Sequence, residues 1–279
     1  MKKSLKKTLY AGVLGLTAVG LGACAGGNDQ GSGSDENETL TVGASSTPHA
    51  EILNQVEDDL ADEGYDLEVE VFDDYVLPNQ ALADGDLDAN FFQHEPYLDN
   101  FNEENDTDLV PAAQIHYEPL GLYPGQTDSV DDVENGAEIA IPNDATNGAR
   151  ALLLLEEAGL IKLEDDSDIT ATIDDIEENP KNLELTELDA SQIPRTVEDV
   201  DLAVINANYA LEAGFDVQDD ALAIEGEDSE AAQTYANIVA VRNGDEDAPA
   251  TEALVEALQS DKVKDYMDEE YQGAVIPLF

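Results

Sequence analysis

The sequence predicts an α/β fold with largely parallel sheets. Three observations carry that prediction. From residue 39 onward, short apolar runs of strand period alternate with segments of helical period. The alternation starts afresh near residue 138, which gives a second unit of the same kind. And 42% of the 279 residues are hydrophobic although the formal net charge is −54, so a core can form beneath an acidic surface.

In the first unit, residues 39–45 form a buried strand that ends at a loop. Residues 49–63 put Ile52, Leu53, Val56 and Leu60 on one side of a helix. Residues 67–72 alternate with period two and form a strand. Residues 77–84 form a short helix with Pro78 at a favoured early position, and 87–92 are the next strand. Strand, helix, strand, helix, strand at this pace predicts α/β. In the second unit, residues 138–142 are a strand, 143–148 a loop, and 149–158 a helix closed by Gly159. Residues 183–188 and 202–205 are strands, 237–242 are the last clear one, and 249–266 carry terminal helix. Ligands in such folds sit where the strand ends of two units face each other.

The N-terminus has a different character. Lys2, Lys3, Lys6 and Lys7 precede an apolar run from Leu9 to Leu21, which ends in Leu21-Gly-Ala-Cys24. A basic start, a short apolar segment and a small-residue cleavage site make a secretory signal. The run is too short for a comfortable bilayer span. The tetrapeptide resembles a bacterial lipobox, which would make Cys24 the lipidated (palmitate-type) first residue of the mature chain. Cys24 is the single cysteine, so no disulfide forms within the chain. The expected organisation is a signal at 1–23, a flexible acidic Gly/Ser tether at 24–38, one lobe from 39–121 plus 237–279, and a second lobe at 122–236.

Four of the 11 cationic residues lie in the signal, leaving seven against 65 acids. Such a charge repels nucleic acid and anionic membrane surfaces, and it favours a monomer. It also suggests a salt-rich, halophilic-type setting in which counterions screen self-repulsion.

Enzyme signatures are missing from the sequence. There is no Gly-x-Ser-x-Gly, no phosphate-cradling Gly-rich loop with lysine, and no His-Glu-x-x-His. His49, His94 and His116 lack metal-ligand spacing. Asp84, Asp86, Asp88 and Glu95 mimic a calcium loop, but its obligatory glycine is Ala89. The expectation is no enzyme, no metal and no cofactor. The informative cluster is Pro142-Asn-Asp-Ala-Thr-Asn-Gly-Ala-Arg150, which puts Arg150 in the first turn of an apolar helix with Asn147 one turn earlier. Helix N-terminal amides and a guanidinium fork together suit a carboxylate. Phe92 and His94 close one strand, Tyr75 follows another, Asn206 follows a third and Asn237 opens the last. Amides and aromatics at several strand ends would enclose a small zwitterion.

Those residues carry a family resemblance. Phe72-Asp-Asp-Tyr-Val-Leu-Pro-Asn79, Leu87-Asp-Ala-Asn-Phe-Phe-Gln-His94, Ile141-Pro-Asn-Asp-Ala-Thr-Asn147, Glu178-Asn-Pro-Lys-Asn182, Ala203-Val-Ile-Asn-Ala-Asn-Tyr209 and Gly273-Ala-Val-Ile-Pro277 resemble the NlpA/MetQ-type methionine-binding lipoproteins of ABC importers. The resemblance runs from Leu40 to Phe279. It implies a two-lobed periplasmic-binding-protein type II fold with a ligand cleft between the lobes. It implies a protein lipid-anchored on the extracytoplasmic face of the cell membrane, delivering L-methionine to a permease with a cytoplasmic ATPase. D-methionine, a methionine derivative or a methionine-containing dipeptide are alternative ligands, and a structural or adhesive surface lipoprotein is the alternative class. By resemblance, Arg150 and Asn147 would meet the ligand carboxylate. Asn206 and Asn237 would hold its amino and carboxyl groups, and Tyr75, Phe92 and His94 would line the thioether pocket. The chain departs from the family at Ala145, where a proline is usual, and in its heavier acid load.

Overall fold

The computed structural model describes residues 37–164, 168–226 and 233–279. The expected signal, Cys24 and the tether up to residue 36 lie outside the described residues. Among the described residues, regular structure starts with β1 (Glu38–Ser45). Asn37 fastens that entry by donating to the Ala61 carbonyl (3.2 Å) and to Asp66 Oδ1 (2.9 Å).

After β1 the chain turns irregularly through Ser46–Ala50, where Thr47 is extended as the residue before a proline prefers. The expected single helix is then two, α1 (Glu51–Gln55) and α2 (Glu57–Glu63). Glu57, Asp58 and Asp59 explain the break, because three acids favour a fresh helix N-terminus. Ile52, Leu53, Val56 and Leu60 still share one buried face. β2 (Tyr65–Phe72) leads to α3 (Leu77–Asp84), which Gly85 ends at φ +84°, a conformation free of Cβ strain for glycine. β3 (Ala89–His94), α4 (Glu95–Asn105) and β4 (Leu109–Tyr117) follow.

The second lobe holds β5 (Gly121–Pro124), β6 (Glu138–Pro142), α5 (Ala145–Glu157) and the short pair β7 (Lys162–Leu163) and β8 (Ile176–Glu178). It continues with β9 (Glu184–Leu188), β10 (Leu202–Ile205), α6 (Ala207–Glu212) and β11 (Ala223–Ile224). The chain then returns as β12 (Ala236–Arg242), α7 (Pro249–Leu258), α8 (Asp261–Tyr271) and β13 (Ile276–Pro277). The expected terminal helix is therefore also two. Its break falls where Ser260 caps α8, accepting from the Val263 N–H.

The first sheet runs β13-β4-β12-β3-β1-β2 and the second β11-β5-β10-β6-β9. Both are mixed, which corrects the expectation of largely parallel sheets. β1 is parallel to β2 and β3, but β12 runs against β3 and β4. β6 is parallel to β9 and β10, while β5 runs against β10 and β11. A strand that returns from the other lobe takes its direction from the crossover, which hydrophobic period does not encode. Gly121 pairs in the second sheet and Ala236 in the first, one residue from the expected lobe edges.

Each sheet has its own core. Val42, Ile52, Phe91, Val239, Leu254 and Met267 pack in the first lobe, and Ile139, Leu152, Leu155, Leu202 and Val204 in the second. Residues 118–120 carry the chain out of the first sheet, and it re-enters that sheet at Ala236. Among the described residues, no helix is long and apolar enough to cross a membrane.

The exposed cations are shared thinly, as in Lys262 with Asp59 and Arg242 with Asp245. Self-repulsion of the remaining acids is long-ranged at low salt, and raising KCl from 0.1 to 1 M shortens the screening length from about 10 to about 3 Å. The urea midpoint is expected to rise across that range. A midpoint that stays flat would show that the acid load does not strain the fold.

Candidate ligand-binding site

A cavity lined by polar and aromatic side chains lies between the two sheets. Tyr75, Phe92, His94, Asn147, Arg150, Asn206 and Asn237 all line it, together with Gln93, Tyr97, Glu118 and Asn208. Tyr75 comes from the loop after β2, Phe92 and His94 from the end of β3, and Asn237 from β12. Asn147 and Arg150 stand on α5, and Asn206 links β10 to α6.

The start of α5 differs from expectation. The helix begins at Ala145 rather than 149, because Asp144 caps it by accepting from the Asn147 backbone N–H at 2.9 Å. Arg150 is therefore in the second turn, and the first-turn amide of Asn147 is already engaged. Asp144 also accepts from the Asn147 side chain at 3.0 and 3.1 Å. That fixes which way Asn147 Oδ1 faces: it accepts from Asn206 Nδ2 (2.8 Å) and from His94 Nε2 (3.2 Å). His94 Nδ1 accepts from the Tyr97 N–H, so the proton is on Nε2 and the ring is neutral. Burial, followed by the nearby Arg150 charge, lowers the His94 pKa to about 3.

Arg150 is 3% exposed and fully engaged on one edge. Its Nε donates to Glu225 Oε1 (2.8 Å) and Oε2 (3.0 Å), and its Nη2 to Glu225 Oε2 (2.6 Å) and the Glu118 carbonyl (2.6 Å). The guanidinium carbon lies 4.5 Å from the Tyr235 ring centre. Burial is the largest influence and lowers the Arg150 pKa, but the charge and hydrogen bonds of Glu225, with Tyr117 and Tyr235, together raise it. Glu225 is itself saturated, accepting in addition from Tyr117 OH (2.7 Å) and the Leu120 N–H (2.9 Å). Arg150 Nη1 makes none of these bonds.

The remaining wall divides into polar and aromatic parts. Asn206 Oδ1 and Asn208 Nδ2 are buried without a hydrogen-bond partner, one acceptor and one donor. Glu118 is a buried carboxyl whose pKa is raised by burial and partly restrained by His49 and Arg150. Tyr75 meets Phe92 at 5.8 Å, Tyr97 at 5.7 Å and Tyr209 at 5.0 Å between ring centres. Three contacts bridge the lobes over the cavity: Tyr75 OH to Asn208 Oδ1 (2.6 Å), Tyr209 OH to the Asp73 carbonyl (3.3 Å), and His94 to Asn147.

Sequence reasoning missed Glu118 and Glu225. Nothing separates them from the other acids in composition, and β4, whose end presents Glu118, was not read as a strand. Asn208 lies inside the quoted motif Ala203–Tyr209. The calcium-like acids are divided by β3, with Asp88 accepting from the Thr41 N–H and Glu95 opening α4. The histidines do not all stay apart: His49 and His116 come within 5.0 Å, and with Glu118 form a compact set that could hold a metal ion.

Two mixed sheets joined by two crossovers, with a buried polar and aromatic cavity between them, define the two-lobed periplasmic-binding-protein class. The chain belongs to the NlpA lipoprotein family, whose profile matches residues 40–279. It is 41% identical over 276 residues to the methionine-binding lipoprotein MetQ of Bacillus subtilis, covering 98% of this chain and 99% of that one. It is 40% identical over 215 residues to the D-methionine-binding lipoprotein MetQ of Escherichia coli, covering 76% and 78%. The structure of a nutrient binding protein from Burkholderia cenocepacia bound to methionine matches with a TM-score of 0.82 at 43% identity, covering 86% of this chain and 100% of that chain.

Two outcomes are expected from this geometry. Glu225→Gln leaves a buried guanidinium without its counter-charge, and should cost about 3–5 kcal/mol in urea unfolding. A loss under 1 kcal/mol would mean that the pair is dispensable. The second concerns pH. The unfolded chain protonates His94 near 6.5 but the folded chain only near 3, so this contribution is complete above 6.5 and drains as pH falls toward 3. His94→Gln should flatten the decline in unfolding free energy between pH 7 and 5. Parallel slopes for variant and wild type would refute the assignment of a neutral, buried imidazole.

Proposed function

We propose that this protein captures methionine as a zwitterion and hands it to an ABC importer made of a permease and a cytoplasmic ATPase. The observation that carries the reading is charge placement in one buried cavity. Glu118 offers a carboxylate to the ligand ammonium, and Arg150 offers the Nη1 edge that its protein partners leave over. Asn206 Oδ1 and Asn208 Nδ2, buried without partners, supply an acceptor and a donor beside those charges. Asn147 and Asn237 complete the amide lining. Tyr75, Phe92, His94 and Tyr97 form the wall for a thioether, which gains about 0.3–1.5 kcal/mol against an aromatic ring. The names of the methionine-binding relatives support the same ligand.

Binding rather than catalysis is part of the reading. An imidazole held neutral down to about pH 3 is a poor base at neutral pH. Anchoring by lipid at Cys24, the extracytoplasmic face and a monomeric state belong to the same proposal. L-methionine is the preferred ligand, with D-methionine and methionine dipeptides as competitors in the same pocket.

The test is calorimetry with L-methionine, D-methionine, methionine sulfoxide and norleucine. L-methionine should bind and raise the melting temperature, and norleucine should bind more weakly. No heat and no stabilisation from any α-amino acid would sink the reading. Arg150→Ala is a poor diagnostic, since it strands Glu225 and loosens fold and site together. Glu118→Gln is cleaner: it removes one charge, keeps the shape, and should weaken methionine roughly 10- to 100-fold.

A further inference from the structure

Glu118 has a second set of neighbours that do not line the cavity. His116, on β4, places Nε2 at 2.7 Å from Glu118 Oε1. His49, from the turn after β1, places Nε2 at 3.3 Å from the same oxygen and 3.0 Å from Asn237 Oδ1. Both rings are fully buried, and Phe91 packs edge-on against each, at 4.7 and 5.2 Å. With Glu118 ionised, its oxygen and the Asn237 amide oxygen only accept, and both Nε2 atoms then carry the proton. Ser45 Oγ, 2.6 Å from His49 Nδ1, then donates to it, while His116 Nδ1 has no partner. Burial lowers the pKa of His49 to about 4 and of His116 to about 3, so both rings are neutral donors at neutral pH.

The other groups facing Glu118 are few. The Asn208 backbone N–H on α6 donates to it, the Arg150 guanidinium on α5 attracts it with Glu225 behind, and the Tyr75 hydroxyl is near. A buried carboxyl tends to stay protonated, and a protonated Glu118 cannot pair with an ammonium. Hydrogen bonds given to the charged form oppose that tendency. A metal is the weaker account of the same trio. Two zinc ligands at about 2.0–2.2 Å from the ion stand roughly 3.3 Å apart, whereas 2.7 Å is the span of a bridging proton.

We propose that His116 is a positioning residue for amino-acid recognition: its N–H holds Glu118 ionised and aimed at the cavity, beside a His49 ring that is bonded to Asn237, so that Glu118 receives the α-ammonium of the ligand. The proposal rests on the amino-acid reading of the cavity. It predicts a specific coupling. Loss of the His116 N–H should weaken ligands that carry an ammonium and spare those that lack one.

The experiment compares L-methionine with its desamino analogue, 4-(methylthio)butanoate, by calorimetry at pH 5 to 8. His116→Phe keeps the ring packing and removes the donor, while His116→Gln keeps a donor near the Nε2 position. His116→Phe should lose about tenfold or more for methionine, with the desamino acid within about twofold of wild type. Its methionine affinity should also begin to fall at a higher pH than in wild type, because Glu118 takes up its proton sooner. His116→Gln should restore most of the loss, and His49→Gln should stay close to wild type. In a Glu118→Gln background, His116→Phe should have no further effect on discrimination. Equal losses for both ligands, or no shift in the pH profile, would overturn the proposal while leaving methionine binding intact. A wild type that binds no α-amino acid would overturn both readings. Zinc stabilisation of the wild type that is lost in both histidine variants would make the trio a metal site and also overturn it. If His116→Phe does not fold, His116→Leu is compared with His116→Gln by the same criteria.

Discussion

The buried pair of Arg150 and Glu225 is the constraint on which the site depends. A guanidinium at 3% exposure must meet a counter-charge, and here it comes from 75 residues away. The pairing fixes geometry as well as charge. Glu225 lies on the segment that returns to the first lobe, and Glu118, whose carbonyl also accepts from Arg150, lies on the segment that leaves it. One side chain on α5 therefore ties both crossovers together. The Tyr117 hydroxyl and the Leu120 N–H close the same knot on Glu225. With five donors fixed in a plane, Arg150 can spend one edge on this structure and keep another facing the cavity.

That division of labour shapes what the cavity can accept. Glu225 cancels most of the Arg150 charge, so an incoming carboxylate meets a guanidinium that is already partly satisfied. Neutral amides must supply the rest of its shell, and the cavity holds Asn147, Asn206, Asn208 and Asn237. Glu118 is the uncompensated charge, which makes an amino group the natural complement. The amides are themselves pre-set: Asp144 turns Asn147, and Asn147 in turn orients Asn206. Behind the aromatic wall, Asn79, Asn90 and Gln93 satisfy one another at 2.7–2.9 Å, so β3 presents Phe92 and His94 from a rigid base.

Much of this was legible in the sequence, for reasons that also explain what was not. The strands Glu138–Pro142 and Leu202–Ile205 and the helix Leu77–Asp84 have the expected bounds, because local period and capping signals determine them. Seven residues at strand ends and on one helix were brought to one cavity, since α/β topology gathers such positions on one side. Glu118 and Glu225 escaped because selecting two acids from 65 requires knowing what is buried beside them. His49 and His116 escaped for a related reason. Their partner is a carboxylate reached through the fold, and ligand spacing along a chain says nothing of that. The start of α5 was read four residues late because the apolar run drew attention away from Asp144, the side chain that caps it.

The molecule treats charge in two different ways, and the contrast separates its stability from its selectivity. On the surface, acids outnumber cations so heavily that pairing is incidental and the solvent must do the screening. In the interior, among the described residues, the charged groups at the cavity have close neighbours: Arg150 has Glu225, Asp144 has Asn147, and Glu118 has His49 and His116. Buried pairs are screened far less than exposed ones, so bulk salt acts mainly on the shell. An acidic surface can therefore be tuned to its medium without redrawing the cavity, because the charges that recognise a ligand are held by buried neighbours, one contact at a time.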